Sequence, residues 1–375
     1  VKSVLSERMT IHLHDIEHRE LPPAAAAAVR ALASDIRHRL GDRPHTGTLQ
    51  DPALLDQIEQ RAAELPVAVR HAVRPPATPA GATVVRGFPV DDAEFGPTPQ
   101  DWQAAAVTAA DPRHLGSLEL DIAMLLLARC AGEPFGWAGQ QNGRLVNNIV
   151  PAVGHEDEQS GASSSTLLSP HTEDAFHAAR ANLLMLACVR NPDRVATTVS
   201  SVREVRLSEA DLRTLTVPTL PILPDVSYGT DFDQPAPPLP TIWFDETDRA
   251  TLRYDPAYTP LDDADPAFRA AYARLTEEFA RVCHAPALAP GELLLVDNDV
   301  AVHGRVPFRA RYDGTDRWLK RVNIRLPERR RRALESSENG YGQRVVAPFR
   351  ASTDRTAERG RTDERADERG SVEQP

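Results

Sequence analysis

The chain has no apolar run approaching the ~20 residues that a membrane-spanning helix requires. The run Ile122 to Ala128 is short and lies inside an amphipathic pattern. No membrane association is therefore expected. The start lacks a basic segment followed by an apolar stretch, so no secretory signal is expected, and a cytoplasmic location follows as an expectation. Cysteine is scarce: Cys130, Cys188 and Cys283 are far apart and form no CxxC pair. That excludes a disulfide framework and points to reduced thiols in a reducing compartment. Positive charge is not in excess either. Lys and Arg number 43 against 54 Asp and Glu, a formal net charge of −11, which speaks against broad phosphate-backbone binding and against a nucleic-acid partner. There is no internal repeat, and nothing calls for an obligatory protein partner.

Apolar content is ordinary, and 375 residues with 32 prolines describe a chain with a sizeable core and short helices. The pattern predicts a helix over 22–41, begun by Pro22 and Pro23 and stopped by Gly41. A second helix opens at Asp51 and ends before Pro66. The β-branched run ATVVRGFPV reads as a strand. Residues 117–131 read as a helix capped by Ser117. From about 135 the texture changes to short apolar runs between turns: GRLVNNIVP, ANLLMLACVR, ATTVSSV, PTLPILP, TIWFD, ATLRYD, GELLLVDND and VNIRL. One helix, 265–283, interrupts them. Many short strands with flanking helices predict a mainly β protein, a sandwich or jelly roll. The expected organisation is an N-terminal extension over 1–20 and a single domain over 21–350. Within that domain, 21–131 is helical, the jelly-roll core spans about 80–330, and a Pro- and Asp-rich lid insertion spans about 203–260. A tail over 351–375 has mixed charge and no apolar periodicity, and is expected to be disordered.

The chemistry concentrates in a few residues. His171 and Glu173 form an H-x-E element; on a strand or its edge, residues i and i+2 project to one face. His303 follows GELLLVDND after a short loop. Two imidazoles and one carboxylate on one face of a metal, with open positions opposite, is the facial triad of non-haem iron(II) oxygenases. Arg317 lies fourteen residues after His303, and Arg321 four further on, in a segment whose end reads as a strand. On it 317, 319, 321 and 323 share a face. A rigid guanidinium so placed can clamp a carboxylate bidentately, as a dicarboxylate cosubstrate would require. The competing explanation for Arg317 is a surface ion pair with Asp313 or Asp316.

The elements LLSPHTEDAFH, ACVRNPDRVATTVSSV, LLVDNDVAVHGRVPF and RYDGTDRWLKRVNIR, in this order, resemble the clavaminate synthase-like branch of the 2-oxoglutarate oxygenases in the TauD-like superfamily. The relatives include free amino-acid hydroxylases of peptide-antibiotic pathways. The resemblance covers roughly residues 80–330 and implies a double-stranded β-helix. It implies iron(II) held by His171, Glu173 and His303, with 2-oxoglutarate as cosubstrate and dioxygen as oxidant. It implies that Arg317, helped by Thr198 or its neighbour Thr197, holds the distal carboxylate of 2-oxoglutarate. It further implies that Arg321 receives the substrate α-carboxylate and that Gln140 or Gln141 meets the α-amino group, with Glu173 as a second acceptor. Related halogenases have Gly or Ala where Glu173 stands, so hydroxylation is expected rather than halogenation.

A small-molecule amino acid is the substrate expected from this resemblance. Asp255, in LRYDPAY, falls where arginine hydroxylases of the branch place an acid against the guanidinium. Their second acid, two residues on, is Ala257 here. One acid suits an ammonium or a polar amide, so lysine or another basic or polar residue is expected, while a turn role before Pro256 is the plain alternative. Competing functions are an oxidative cyclase or desaturase of the same family, a non-catalytic cupin-like metal-binding protein, and a zinc hydrolase. The last two have no use for Arg317.

Overall fold

The computed structural model describes residues 16–40, 49–110, 115–229, 236–245, 249–329 and 333–349. The expected tail over 351–375 lies outside the described residues, as do residues 1–15 of the expected extension. The end of that extension is part of the fold. Strand β1 (Glu17–Glu20) pairs in parallel with β2 (Ala82–Arg86).

Between these strands lie three helices, α1 (Pro23–Leu40), α2 (Pro52–Arg61) and α3 (Val67–Val73). α2 starts where its sequence dictates: the Asp51 carboxylate accepts from the backbone N–H groups of Ala53 and Leu54, and Pro52 occupies the first turn, where no donor is needed. It ends at Arg61, and a tighter turn over Ala62–Glu64 completes the segment to Pro66. Two more helices follow β2, α4 (Trp102–Ala110) and α5 (Leu115–Ala131). The sequence reading did not anticipate α3 or α4. Ser117 is not the cap of α5. It is buried inside the helix, and its hydroxyl is taken by the Lys320 ammonium at 3.1 Å.

The strands that follow are β3 (Glu133–Trp137), β4 (Asn147–Ile149), β5 (Leu168–His171), β6 (Leu183–Arg190) and β7 (Thr197–Ser201). Helix α6 (Glu209–Leu215) and the hairpin β8 (Ile242–Phe244) and β9 (Ala250–Leu252) come next, then α7 (Pro266–Arg281), capped by Asp265. The chain closes with β10 (Leu293–Asp297), β11 (Ala301–Arg305), β12 (Trp318–Arg325) and β13 (Val345–Val346). The expected strand PTLPILP is reduced to a single bridge between Leu220 and Leu239, because its prolines cannot donate to a ladder.

The large sheet runs β1-β2-β10-β6-β12-β3-β13, with β4 added on β12; the smaller sheet runs β5-β11-β7. The two face each other as a double-stranded β-helix. β6 shows why the order holds. Its residues alternate between faces: Leu184, Leu186 and Cys188 enter the core between the sheets, whereas Leu183, Met185, Ala187 and Val189 pack against the helices. Burying each such leucine contributes roughly 2 kcal/mol. Much of the expected lid belongs to a third core. Leu215, Leu220, Ile242, Leu252 and Tyr254 pack with α7 and with Val300 and Val302 on the outside of the small sheet. The segment around Asp225–Tyr228 reaches from there towards the site.

Candidate metal centre and cosubstrate pocket

His303 on β11 lies directly opposite His171 at the end of β5, so the two rings sit on one face with centroids 4.5 Å apart. One ligand atom each of His171, Glu173 and His303 lie within 4.8 Å of one another. Glu173 is set by its backbone. Asn298, in the turn between β10 and β11, accepts from the Glu173 N–H at 2.8 Å and donates to its carbonyl at 3.1 Å. Asn298 is a buried polar residue in an apolar run; the sequence reading missed it, although LLLVDND displays it. The loop continues through Asp174 at a φ of 53°, a left-handed conformation that Asp tolerates better than most residues.

The donor set fits a divalent metal. His171 Nδ1 must donate to the Ser169 carbonyl, 2.8 Å away, because that oxygen can only accept. Nε2 is then left as a lone pair, with the ring held by a neighbouring carbonyl as metal-binding histidines usually are. Glu173 Oε2 faces His303 Nε2 at 3.3 Å and accepts no hydrogen bond. Burial opposes ionisation of Glu173, but the Arg321 guanidinium and the two imidazoles outweigh it and hold the carboxyl at about 2. Burial and the neighbouring His303 ring push the His171 imidazole down, towards the neutral form that binds metal.

Arg321, on β12, points into the same space. Arg321 pairs with Glu173 Oε1, and its other amine donates to Gln140 Oε1 at 2.9 Å and Asn147 Oδ1 at 3.3 Å. Its Nε is buried without a partner among the described residues. Gln140 is thereby brought to the site. Gln141 is not: its amide is spent on the backbone of Asn148, accepting at 2.9 Å and donating at 2.8 Å. Asn147, which the sequence reading missed, takes part beside Gln140.

Arg317 is buried and makes no ion pair among the described residues; Asp316 accepts instead from the backbone of Arg311 and Tyr312, and Asp313 from Thr315. Arg317 donates to Thr197 Oγ1 at 3.0 Å. Thr198 is displaced from the expected role. It pairs with Gly304 and Thr197 with Arg305; adjacent strand residues project to opposite faces, so Thr198 is turned away from Arg317.

Asp255 uses one carboxylate oxygen to accept from the backbone N–H groups of Ala257 and Tyr258, so the turn role is real. Among the described residues its other oxygen accepts no hydrogen bond. The residue before it is tied to the metal loop, Thr172 N–H donating to the Tyr254 carbonyl at 2.8 Å. Burial raises Asp255 to about 6, and the nearby Asp225 carboxylate adds to this. Asp225 was missed because it is thirty residues away in sequence; its segment packs on Tyr258 through a Leu223 N–H to Tyr258 carbonyl bond of 2.8 Å. Tyr228 in the same turn donates to Asp174 Oδ1 at 2.5 Å, and Trp137 donates to Asp174 Oδ2 at 2.6 Å.

Comparison with known proteins agrees with this geometry. Residues 78–323 match the family described as taurine catabolism dioxygenase TauD, TfdA family. The chain is 34% identical to enduracididine beta-hydroxylase of Streptomyces hygroscopicus, over 84% of this chain and 94% of that protein. It is 38% identical to L-asparagine oxygenase of Streptomyces coelicolor, over 70% of this chain and 76% of the other. Among solved structures, the non-haem iron oxygenase OrfP in complex with Fe and alpha-ketoglutaric acid superposes with a TM-score of 0.69 at 37% identity, covering 82% of this chain and 94% of that one. Triad, arginine-bearing strand and family match lead to one assignment: the chain belongs to the TauD, TfdA family and is a non-haem iron, 2-oxoglutarate-dependent oxygenase.

Proposed function

We propose that this oxygenase hydroxylates a free L-amino acid whose side chain carries a positive charge. The observation that carries the reading is the order of charge along the pocket. Arg321, Gln140 and Asn147 cluster at Glu173, a set that suits an α-carboxylate and an α-amine. The Asp255 carboxylate feels both the His171 imidazole and the Asp225 carboxylate, and the Asp225 segment is tied to Tyr258, three residues after Asp255, through Leu223 and Val226; two acids so placed suit a cation. Two acids from two segments replace the expectation of a single acid. They make a guanidinium as acceptable as an ammonium, because a planar cation with five donors is matched by two carboxylates.

The relatives support the same class of substrate. Besides the enduracididine hydroxylase, they include an L-ornithine/L-arginine 3-hydroxylase of Catenulispora acidiphila, 34% identical over 66% of this chain and 77% of that protein. OrfP has been solved with Fe, succinate and (3S)-hydroxy-L-Arg.

In this reading each residue has a task. His171, Glu173 and His303 hold iron(II), which with 2-oxoglutarate and dioxygen supplies the oxidation of an unactivated C–H bond. Arg317 and Thr197 anchor the distal carboxylate of the cosubstrate. Arg321 uses its unpartnered Nε for the substrate carboxylate while it keeps Glu173 ionised. Asp225 and Asp255 hold the far end of the substrate, which fixes the carbon presented to the metal; orientation of this kind is the protein's main contribution. Tyr228 joins the turn bearing Asp225 to Asp174, beside Glu173, and so covers the pocket against water.

The test is a screen of the twenty protein amino acids plus ornithine for succinate release coupled to a mass gain of one oxygen. Arginine, ornithine or lysine should turn over. Turnover confined to neutral amino acids would remove Asp225 and Asp255 from this role, and a mass loss of two hydrogens would identify desaturation.

A further inference from the structure

The pocket end that carries Arg317 holds a second buried cation. Arg305 stands on β11, two residues after His303, and its Cα partner on β7 is Thr197. Thr197 is also the residue to which Arg317 donates, at 3.0 Å. Opposed residues in an antiparallel pair place their side chains on the same face, so Arg305 and Arg317 both border one threonine, which Arg317 alone contacts through its guanidinium. Arg305 is 4% exposed and Arg317 6%. Among the described residues neither has a carboxylate partner. Arg305 donates to the Ser163 carbonyl, to Ser163 Oγ at 3.2 Å and to the Thr166 carbonyl at 2.9 Å, and lies over the Phe308 ring at 4.9 Å. All of these acceptors are neutral, and the Nε of each arginine is buried without a partner among the described residues.

Two like charges buried together without an anion are unfavourable, because each has lost water and repels the other. The effect is visible on Arg305, which burial and the neighbouring Arg317 charge push down to about 9. Such an arrangement is stable once a negative group arrives. We propose that Arg305 is a specificity-determining residue for the cosubstrate: it adds a second positive charge behind Arg317, so that this end of the pocket selects a 2-oxo acid with an ionised tail over one of equal length with an apolar tail. Arg305 does so without surrendering its bonds to the 163–166 loop; its effect is that of a fixed charge at a distance, whereas Arg317 makes the contact. The inference rests on Arg317 as the anchor of the distal carboxylate.

The experiment compares two ligands on Mn(II)-loaded protein by calorimetric titration, with no turnover required. One is 2-oxoglutarate, and the other is 2-oxopentanoate, which has a methyl group in place of the distal carboxylate. Arg305→Gln should lower the preference for 2-oxoglutarate about tenfold or more, the size expected for a unit charge within about 12 Å at an effective dielectric constant of about 20. Arg305→Lys, which keeps the charge but not the fork of donors, should retain the preference within about threefold. A role limited to holding the 163–166 loop would weaken both ligands equally in Arg305→Gln, and that result overturns the proposal. If Arg305→Gln does not fold, the lysine variant decides alone: a retained preference supports the charge role, and a collapsed one overturns it. Wild-type protein that does not distinguish the two ligands would instead overturn the assignment of Arg317.

Discussion

The two ends of the active-site pocket are built differently. The proposed metal and cosubstrate end stands mostly on strands: His171 on β5, His303 and Arg305 on β11, Thr197 on β7, with Arg317 immediately before β12 and Glu173 in the loop after β5. The proposed substrate end draws more on connections: Asp225 in a turn of the segment between α6 and β8, Asp255 after β9 and Gln140 between β3 and β4, with Arg321 on β12 and Asn147 on β4 as its strand-borne members. Strand positions are fixed by hydrogen-bond ladders and by cores on both sides, so their chemistry is preorganised. Connections are fixed by fewer bonds, here Tyr228 to Asp174, Thr172 to Tyr254 and Leu223 to Tyr258. One fold can thus keep the oxidation constant while the connections set the substrate.

That division can be broken from the rigid side first. His303→Ala removes a ligand, and metal affinity should fall by more than about a hundredfold, the upper range seen when only a supporting partner is lost. Calorimetry with Mn(II) measures it, and succinate release should disappear in parallel. Arg317→Ala should weaken 2-oxoglutarate by roughly a hundredfold or more while Mn(II) affinity stays unchanged. Truncating one side of a buried charged contact costs about 2–5 kcal/mol. Unchanged cosubstrate affinity would return Arg317 to a structural role.

Changes at the other end should leave metal and cosubstrate binding alone. Asp255→Asn should raise KM for a cationic amino acid about tenfold to a hundredfold, the value of a hydrogen bond to a charged group. A neutral amino acid should be affected much less, and Asp225→Asn should behave alike. An equal loss for both substrates would mean that Asp255 serves only its turn. Tyr228→Phe, which frees the Asp225 turn from Asp174, should raise KM by about threefold to tenfold, with the Kd of 2-oxoglutarate within twofold of wild type.

An effect on stability rather than on activity concerns the packing behind the metal loop. His177 donates from Nε2 to the Gln343 carbonyl at 3.2 Å and accepts at Nδ1 from the Ala179 N–H at 2.9 Å. Burial pushes its imidazole down to about 4. An ordinary histidine protonates near 6.5, so as pH falls below that value the unfolded chain takes up a proton that the folded chain refuses. The stability this group contributes is therefore present above about 6.5 and is lost between about 6.5 and 4, amounting to about 3 kcal/mol in full. Denaturant midpoints of wild type and His177→Asn should converge as pH is lowered through that range. Parallel curves would show that His177 does not titrate in this way.

The same division explains what could be read in advance. The triad was legible because H-x-E and a histidine after an apolar strand are local patterns, and strand geometry turns them into convergence. The burial of Arg317 beside the small sheet was legible because fourteen residues are about the length of a loop and a return strand. α3 and α4 were not, since short helices held by packing carry weak propensity signals. Ser117 was misread as a cap because nothing local announces that Lys320, some two hundred residues away, takes its hydroxyl.

By itself, then, the sequence determined the metal ligands, the arginine-bearing strand and the jelly-roll class, because strand alternation converts spacing along the chain directly into facing side chains. Tertiary structure alone decided which of two adjacent residues reaches the arginines. Register turns Thr197 towards Arg317 and Thr198 away, and a kinked turn spends Gln141 on the backbone while Gln140 reaches Arg321. It also decided that Asp225 joins Asp255 and that Arg305 stands behind Arg317. The physical reason is common to all four. A shift of one residue reverses the face that a side chain presents, and charges interact through space regardless of their separation along the chain.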